Sequence, residues 1–353
     1  MMDLSNNLMG CPRPFIVRLN NTLEPIYEDD MFPVDPDAAQ KNQMVVFDNA
    51  NNPGLTPHGF GCVIPDQFAL LSKLQKLDLT GTPFVGTIPS VIGVLGQLRR
   101  LALPDQFSMI GDIPSEVGLL HRLASLDVTR TYRLDTRRQI PTAIYNLTSL
   151  EELRAASIAF DGTIPTEIGL LSNTLHALDF SNSSRHGVIP PQIGNLSVLT
   201  ELHVGGTALS GTVPSELGLL GDRLRHLDLH GSRALATESG PNSTTTLPAV
   251  PLVALGGSVP AELASLRRLT HLDLSFTDLS GEWPSELNRQ QLSSLRVLNL
   301  ESTKLIGSIT ELACHRSSKG DLVLAIEEVS IGQTLLECAC CPTDAAAEDS
   351  DSS

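Results

Sequence analysis

Aromatic side chains are scarce: they make up 4% of the 353 residues, with a single tryptophan. Broad stacking platforms for bases or sugar rings are therefore not expected. Positive charge is also short. Lys and Arg number 24 against 40 Asp and Glu, a formal net charge of −16. Nucleic acids and anionic membranes need clustered Lys and Arg to neutralise phosphates, so neither is expected as a partner. Pro or Gly interrupts the longest apolar stretches and no run reaches 18 residues, so this chain encodes no spanning helix. Attachment to a membrane through a segment outside the chain stays open. Catalytic signatures are missing too. There is no Gly-Lys dipeptide, no His-Glu-x-x-His, no Gly-x-Ser-x-Gly and no His-Arg-Asp string, and His58-Gly59-Phe60-Gly61 lacks the third glycine of a dinucleotide fingerprint. No enzymatic activity and no cofactor are expected.

What is abundant is leucine at a fixed spacing. Leu-x-x-Leu-x-Leu, with Val, Ala or Phe sometimes last, begins at Leu74, Leu98, Leu123, Leu150, Leu175, Leu199, Leu224, Leu269 and Leu295. The gaps are 24, 25, 27, 25, 24, 25, 45 and 26 residues. Most strings are followed by Gly-x-Ile/Val-Pro, as in Gly86-Thr87-Ile88-Pro89 and Gly211-Thr212-Val213-Pro214, although the coil from Leu123 lacks its Gly. A degenerate copy precedes them from Val46 to Lys73, giving about ten coils. A coil this short cannot bury its own leucines, so coils must stack. Alternation puts the leucines on the inner face of a short strand and the x residues outside, and stacking makes a parallel sheet with about 4.8 Å between strands. Gly permits the bend after the strand, and Pro favours an extended return followed by a short helical turn.

These two half-motifs resemble the plant-specific class of leucine-rich repeat over residues 46–312. The resemblance implies an α/β repeat fold: a right-handed solenoid with a parallel concave sheet and short helical or extended convex segments. It also implies kinship with receptor-like kinase ectodomains and secreted inhibitors, which bind ligands on the concave sheet. One departure is systematic. Thr82, Thr131, Thr207, Thr277 and Thr303 stand where the family has Asn, and a threonine hydroxyl is expected to donate to a neighbouring coil's carbonyl. The expected function is non-catalytic recognition of a protein, peptide or glycan by an extracellular or cell-surface module. An intracellular scaffold or defence-type protein, and a severed receptor-kinase ectodomain, are the alternatives.

An open solenoid needs caps. Residues 1–45 read as an N-terminal cap or truncated repeat, with a loop or linker over 11–45. Residues 313–342 read as a cysteine-containing cap with a strand at Leu322–Ile326, and 343–353 as a disordered acidic tail. Six cysteines sit only at the two ends: Cys11 and Cys62, then Cys314, Cys338, Cys340 and Cys341. They read as disulfides of an oxidising compartment, with zinc as the competing reading for the C-terminal group. Connectivity is not readable. Sequons stand at Asn20, Asn146, Asn182, Asn195 and Asn242. Asn182, at the sheet edge, and Asn242, in an insertion over 231–252, are the candidates for glycosylation.

Two outward groups stand out as candidate binding residues. Lys76 and Arg100 hold third positions of their strings, Arg154 a fifth and Arg130 an eighth, with Arg133, Arg137 and Arg138 nearby. They suit an acidic ligand, although Asp78, Asp105, Asp127, Asp135 and Glu152 lie among them and offer a locally balanced face instead. The second group is histidine: His203 at a fifth position, His226 and His271 at third positions, His230 at a seventh. His226 and His271 fall in phase if the insertion does not splay them. pH-dependent binding and metal ligation are both open there, beside ordinary surface histidines, and no metal ligand is assigned.

Overall fold

The computed structural model describes residues 62–64, 66–80, 84–105, 109–131, 140–158, 162–231, 255–319 and 322–341. It also gives the backbone of three strands nearer the N-terminus. The described residues fall into two units, one within Met1–Gly162 and Thr174–Ser184, the other within Thr163–Asn173 and Arg185–Ser353.

In the first unit the repeat strings fold as the strands Lys76–Asp78, Arg100–Ala102, Ser125–Asp127, Glu152–Arg154 and Ala177–Asp179. Each lies parallel to and in register with the next. Leu77, Leu101, Leu126, Leu153 and Leu178 align as one column, and all are fully buried. Alternation of burial along each strand gives the sheet one leucine face and one polar face. Upstream, Met44–Phe47 pairs parallel with Lys76–Asp78. Phe15–Leu19 lies antiparallel to both Thr22–Ile26 and Met44–Phe47. Strands therefore occupy part of 11–45, where the sequence suggested a loop or linker.

The second unit repeats the arrangement with Glu201–His203, His226–Asp228, His271–Asp273, Val297–Asn299 and Glu328–Ser330. The last pairing carries the ladder beyond 312, the expected end of the repeats. Ile326, Val329 and Ile331 supply a further string in which Ile and Val replace Leu. This unit also holds a second parallel sheet that the sequence reading did not anticipate. His186–Val188, Ala208–Thr212, Leu255–Gly257, Asp278–Glu282, Lys304–Ser308 and Leu335–Glu337 pair in that order. Most of these lie in the segments expected to return as extended chain.

Local chemistry closes many of the described coils in three places. At the fifth position of the string, Asp78, Asp127, Asp179, Asp228 and Asp273 each accept the backbone N–H two residues on, and Asn299 does the same. The recurring acids therefore build turns, an Asx-type device that bends the chain out of the strand. At the eighth position the backbone enters the left-handed region, with φ of 61° at Asp105, 56° at Arg130, 52° at Asn182 and 55° at Phe276. The threonines that replace Asn act differently from expectation. Thr131, Thr207, Thr277 and Thr303 donate to the carbonyl three residues back in their own coil, at 2.7 to 3.0 Å. A hydroxyl on Cβ reaches less far than an Asn amide, and Thr131 alone among them also lies within 3.1 Å of a preceding-coil carbonyl, that of Leu103. Thr82 lies outside the described residues.

On the far side of each coil, Pro89, Pro114, Pro141, Pro165, Pro190, Pro214 and Pro260 immediately precede 3-10 helices of five or six residues. Proline's fixed φ suits that entry and its missing N–H costs nothing there. Ile92, Val117, Ile144, Ile168, Ile193, Leu217 and Leu263 point from these turns into the core. Neighbouring turns approach at backbone contact. At Gly93 a Cβ would stand 2.6 Å from the Glu116 carbonyl oxygen of the next turn.

At the C-terminus Cys314–Arg316 and Leu322–Leu324 form an antiparallel pair. Cys314 is bonded to Cys340 and Cys338 to Cys341. Their sulfurs are thus paired with one another. Cys11 and the Cys62 side chain lie outside the described residues, as do Asn20, Asn242, positions 232–254 of the inserted loop and the 343–353 tail.

Candidate functional site

The cationic group belongs to the first unit. Lys76 and Arg100 are register partners on adjacent strands. Arg154 stands opposite Asp127 in register, with its Nε 3.9 Å from Glu152 on its own strand. Arg130 is forked onto Asp105, Nε to Oδ1 at 2.6 Å and Nη2 to Oδ2 at 3.1 Å. Two of the four cations are therefore matched by carboxylates nearby, leaving Lys76 and Arg100 as the concentrated positive pair. Arg133, Arg137 and Arg138 lie outside the described residues. Asn182 is exposed in its left-handed turn, and Asn146 and Asn195 are exposed at the ends of 3-10 helices.

The histidines belong to the second unit, and the structure brings all four together. Parallel strands in register turn the repeat phases into a grid. Its third-position row is Glu201, His226, His271 and Val297; its fifth-position row is His203, Asp228, Asp273 and Asn299. His230 and Ser275 follow at the seventh position. The insertion after Gly231 does not disturb this register, because the strands on either side of it pair directly. The His226 and His271 rings stack with centroids 4.2 Å apart and planes tilted by 14°, and His203 stands 6.1 Å from His226.

Asp228 is the hub. Its Oδ1 faces His230 Nδ1 at 2.6 Å and accepts the His230 backbone N–H at 3.1 Å, while its Oδ2 lies 3.8 Å from His203 Nδ1. Burial alone would raise its pKa, but hydrogen bonds from His203 and His230, with the charge of His230, outweigh this and hold the carboxyl well below the usual carboxylate range. Asp273 is similarly occupied by the Ser275 N–H and hydroxyl at Oδ1 and by the Asn299 amide at Oδ2. His226 is pushed down, first by burial and next by the neighbouring charge of His271. It is therefore neutral near pH 7. Thr270 Oγ1 donates to the Arg225 carbonyl at 2.9 Å and holds His271 Nδ1 at the same distance.

Asp228, His230 and Asp273 place ligand atoms within 4.8 Å of one another, the right chemistry for a transition-metal site. Most of their lone pairs are already committed within the grid. Gly205, which sequence reasoning missed, is a requirement of the grid. A Cβ there would overlap the His230 ring and the Asp228 carboxylate. The signal was its seventh position beside a histidine at the same phase.

Among the described residues no helix is long and apolar enough to cross a membrane. The family model for "Leucine Rich Repeat" matches residues 73–95 and 268–289. Receptor-like protein 39 of Arabidopsis thaliana is 32% identical over 127 residues, which is 36% of this chain and 14% of that protein. A solved structure described as "Plant peptide hormone receptor RGFR1 in complex with RGF2" superposes with a TM-score of 0.62 at 26% identity, over 78% of this chain and 42% of the other. A plant ice-binding protein matches in fold, with a TM-score of 0.60 at 23% identity over 80% and 81% of the two chains. The chain thus spans 14% of Receptor-like protein 39 and 42% of the peptide hormone receptor chain. Stacked parallel strands, in-phase leucines and these likenesses together show that the chain carries leucine-rich repeats and is similar to plant receptor ectodomains.

Proposed function

We propose that the chain is a non-catalytic recognition module, extracellular or at the cell surface, that binds a peptide or protein segment on the strand face of its second unit. The grid of His203, His226, His230, His271, Asp228 and Asp273 is the observation that supports this most. It supplies donors, acceptors and apolar ring faces, fixed by hydrogen bonds before any ligand arrives, and preorganised groups lose less on binding. The likeness to a receptor that binds a peptide hormone agrees with a peptide ligand. The paired cysteines agree with an oxidising compartment.

The test is a biosensor screen of the purified chain against secreted peptides of its source. A binder should lose about ten-fold or more in affinity, roughly 1.4 kcal/mol, in a His226→Ala/His271→Ala variant. It should be unaffected by Lys76→Ala. Binders indifferent to every strand-face substitution in the second unit would refute the reading.

A further inference from the structure

The second unit carries a groove of about 490 Å³ that the histidine grid does not use. Four arginines line it. Arg225 and Arg296 hold second positions of their repeat strings, Arg268 directly precedes Leu269, and Arg289 comes from the turn before Leu295. Among the described residues only Arg296 of the four has a carboxylate partner, Glu327 Oε1 at 3.2 Å, and that pair is exposed. Four guanidiniums against one lining carboxylate give a local charge of +3 on a chain whose total is −16.

Arg289 is the informative member. Its backbone N–H is tied to the Glu311 carbonyl at 3.3 Å. Its Nη1 is shielded from solvent and donates to no described group. A buried donor left without an acceptor is costly, and more so when charged, so an acceptor arriving from outside would be favoured there. Arginine forks bind oxyanions with paired N–H donors. A planar carboxylate offers edges to two forks, whereas a tetrahedral group can accept from several directions at once. The volume lies within the range of small-ligand sites, about 300–1,000 Å³.

We propose that this groove binds a doubly charged tetrahedral oxyanion, free or as a monoester, through Arg225, Arg268, Arg289 and Arg296. It is separate from the strand-face site, and either assignment can fail without the other.

The experiment is calorimetric titration at fixed ionic strength, with chloride replaced in turn by inorganic phosphate, inorganic sulfate and phenyl phosphate. Saturable binding is expected, weakened about ten-fold or more, roughly 1.4 kcal/mol, in Arg289→Gln and in Arg225→Gln. Arg154→Gln and His203→Ala should leave it unchanged. Tighter binding of phenyl phosphate marks an esterified ligand and tighter inorganic phosphate the free ion; both support the site. Should Arg289→Gln not fold, the exposed Arg268→Gln and Arg296→Gln carry the same test. Heats no different from those of chloride, or equal affinity in every arginine variant of the groove, would overturn the proposal.

Discussion

Gly93→Ala and Gly96→Ala separate the packing of coils from the propensity of the chain. Both glycines lie in one turn region, three residues apart, and neither has a positive φ. At Gly96 an added Cβ meets nothing within 4 Å, so the substitution removes unfolded-state freedom at no steric cost. It should stabilise by about 0.4–1 kcal/mol. At Gly93 the same atom would stand 2.6 Å from the Glu116 carbonyl oxygen and 2.8 Å from the Glu116 Cβ. Ordinary contact begins near 3.4 Å, so the neighbouring turn must retreat by 0.8 Å. That turn cannot move alone, because Gly118 within it sits equally close to Ala143 of the turn beyond. Overpacking of this kind costs about 1–3 kcal/mol, which exceeds the entropic gain. At about 2–4 °C per kcal/mol for a body of this size, Gly93→Ala should lower Tm by several degrees while Gly96→Ala raises it slightly. Thermal unfolding followed by circular dichroism decides the matter. If both variants behave alike, backbone contact does not set the coil spacing and the reasoning fails.

Other outcomes follow from the same geometry. Because the folded-state pKa of Asp228 lies below its unfolded value, its contribution is complete above about pH 4 and fades as pH falls further. Asp228→Asn should therefore cost about 1–3 kcal/mol near pH 7, with the gap to wild type closing below pH 4 in denaturant titrations. The lowered pKa of His226 has the same sense: stability is lost as pH falls below about 6.5, and NMR titration should find its midpoint under that value. Leu272→Ala, at a fully buried position, should cost about 2–5 kcal/mol in urea unfolding. Cys314, Cys338, Cys340 and Cys341 should resist a thiol reagent in denaturant without reductant.

The strand ladder was legible because leucine at the first, fourth and sixth positions leaves one solution for a coil that cannot bury itself. Phase carried over directly from sequence to space: His226 against His271 needed no more than counting. The second sheet was not legible, since Leu-x-Gly segments such as Leu209-Ser210-Gly211 are too short to show an alternation and pair mainly through backbone, with a hydroxyl bond from Ser210 to the Gly187 carbonyl. The last coil escaped because Ile326, Val329 and Ile331 replace the leucines that announce the others. The acids at the fifth position show only a shared phase in the sequence, and the turn hydrogen bonds reveal their local duty. The arginine groove depends on Arg289 coming from a turn to meet Arg225 and Arg296 just ahead of their strands, a convergence no spacing rule encodes.

A stack of coils behaves as a zipper, and a zipper opens from its free end, where one neighbour is missing. The bond from Cys314 to Cys340 spans 26 residues and ties the start of the last coil to its finish. Closing a ring of that length removes about 3.5 kcal/mol of entropic advantage from the opened state on the chain-entropy view. Amide exchange should then run slow to the very edge of the C-terminal coil while the bond is intact. Reduction should release a wave of exchange that advances inward one coil at a time.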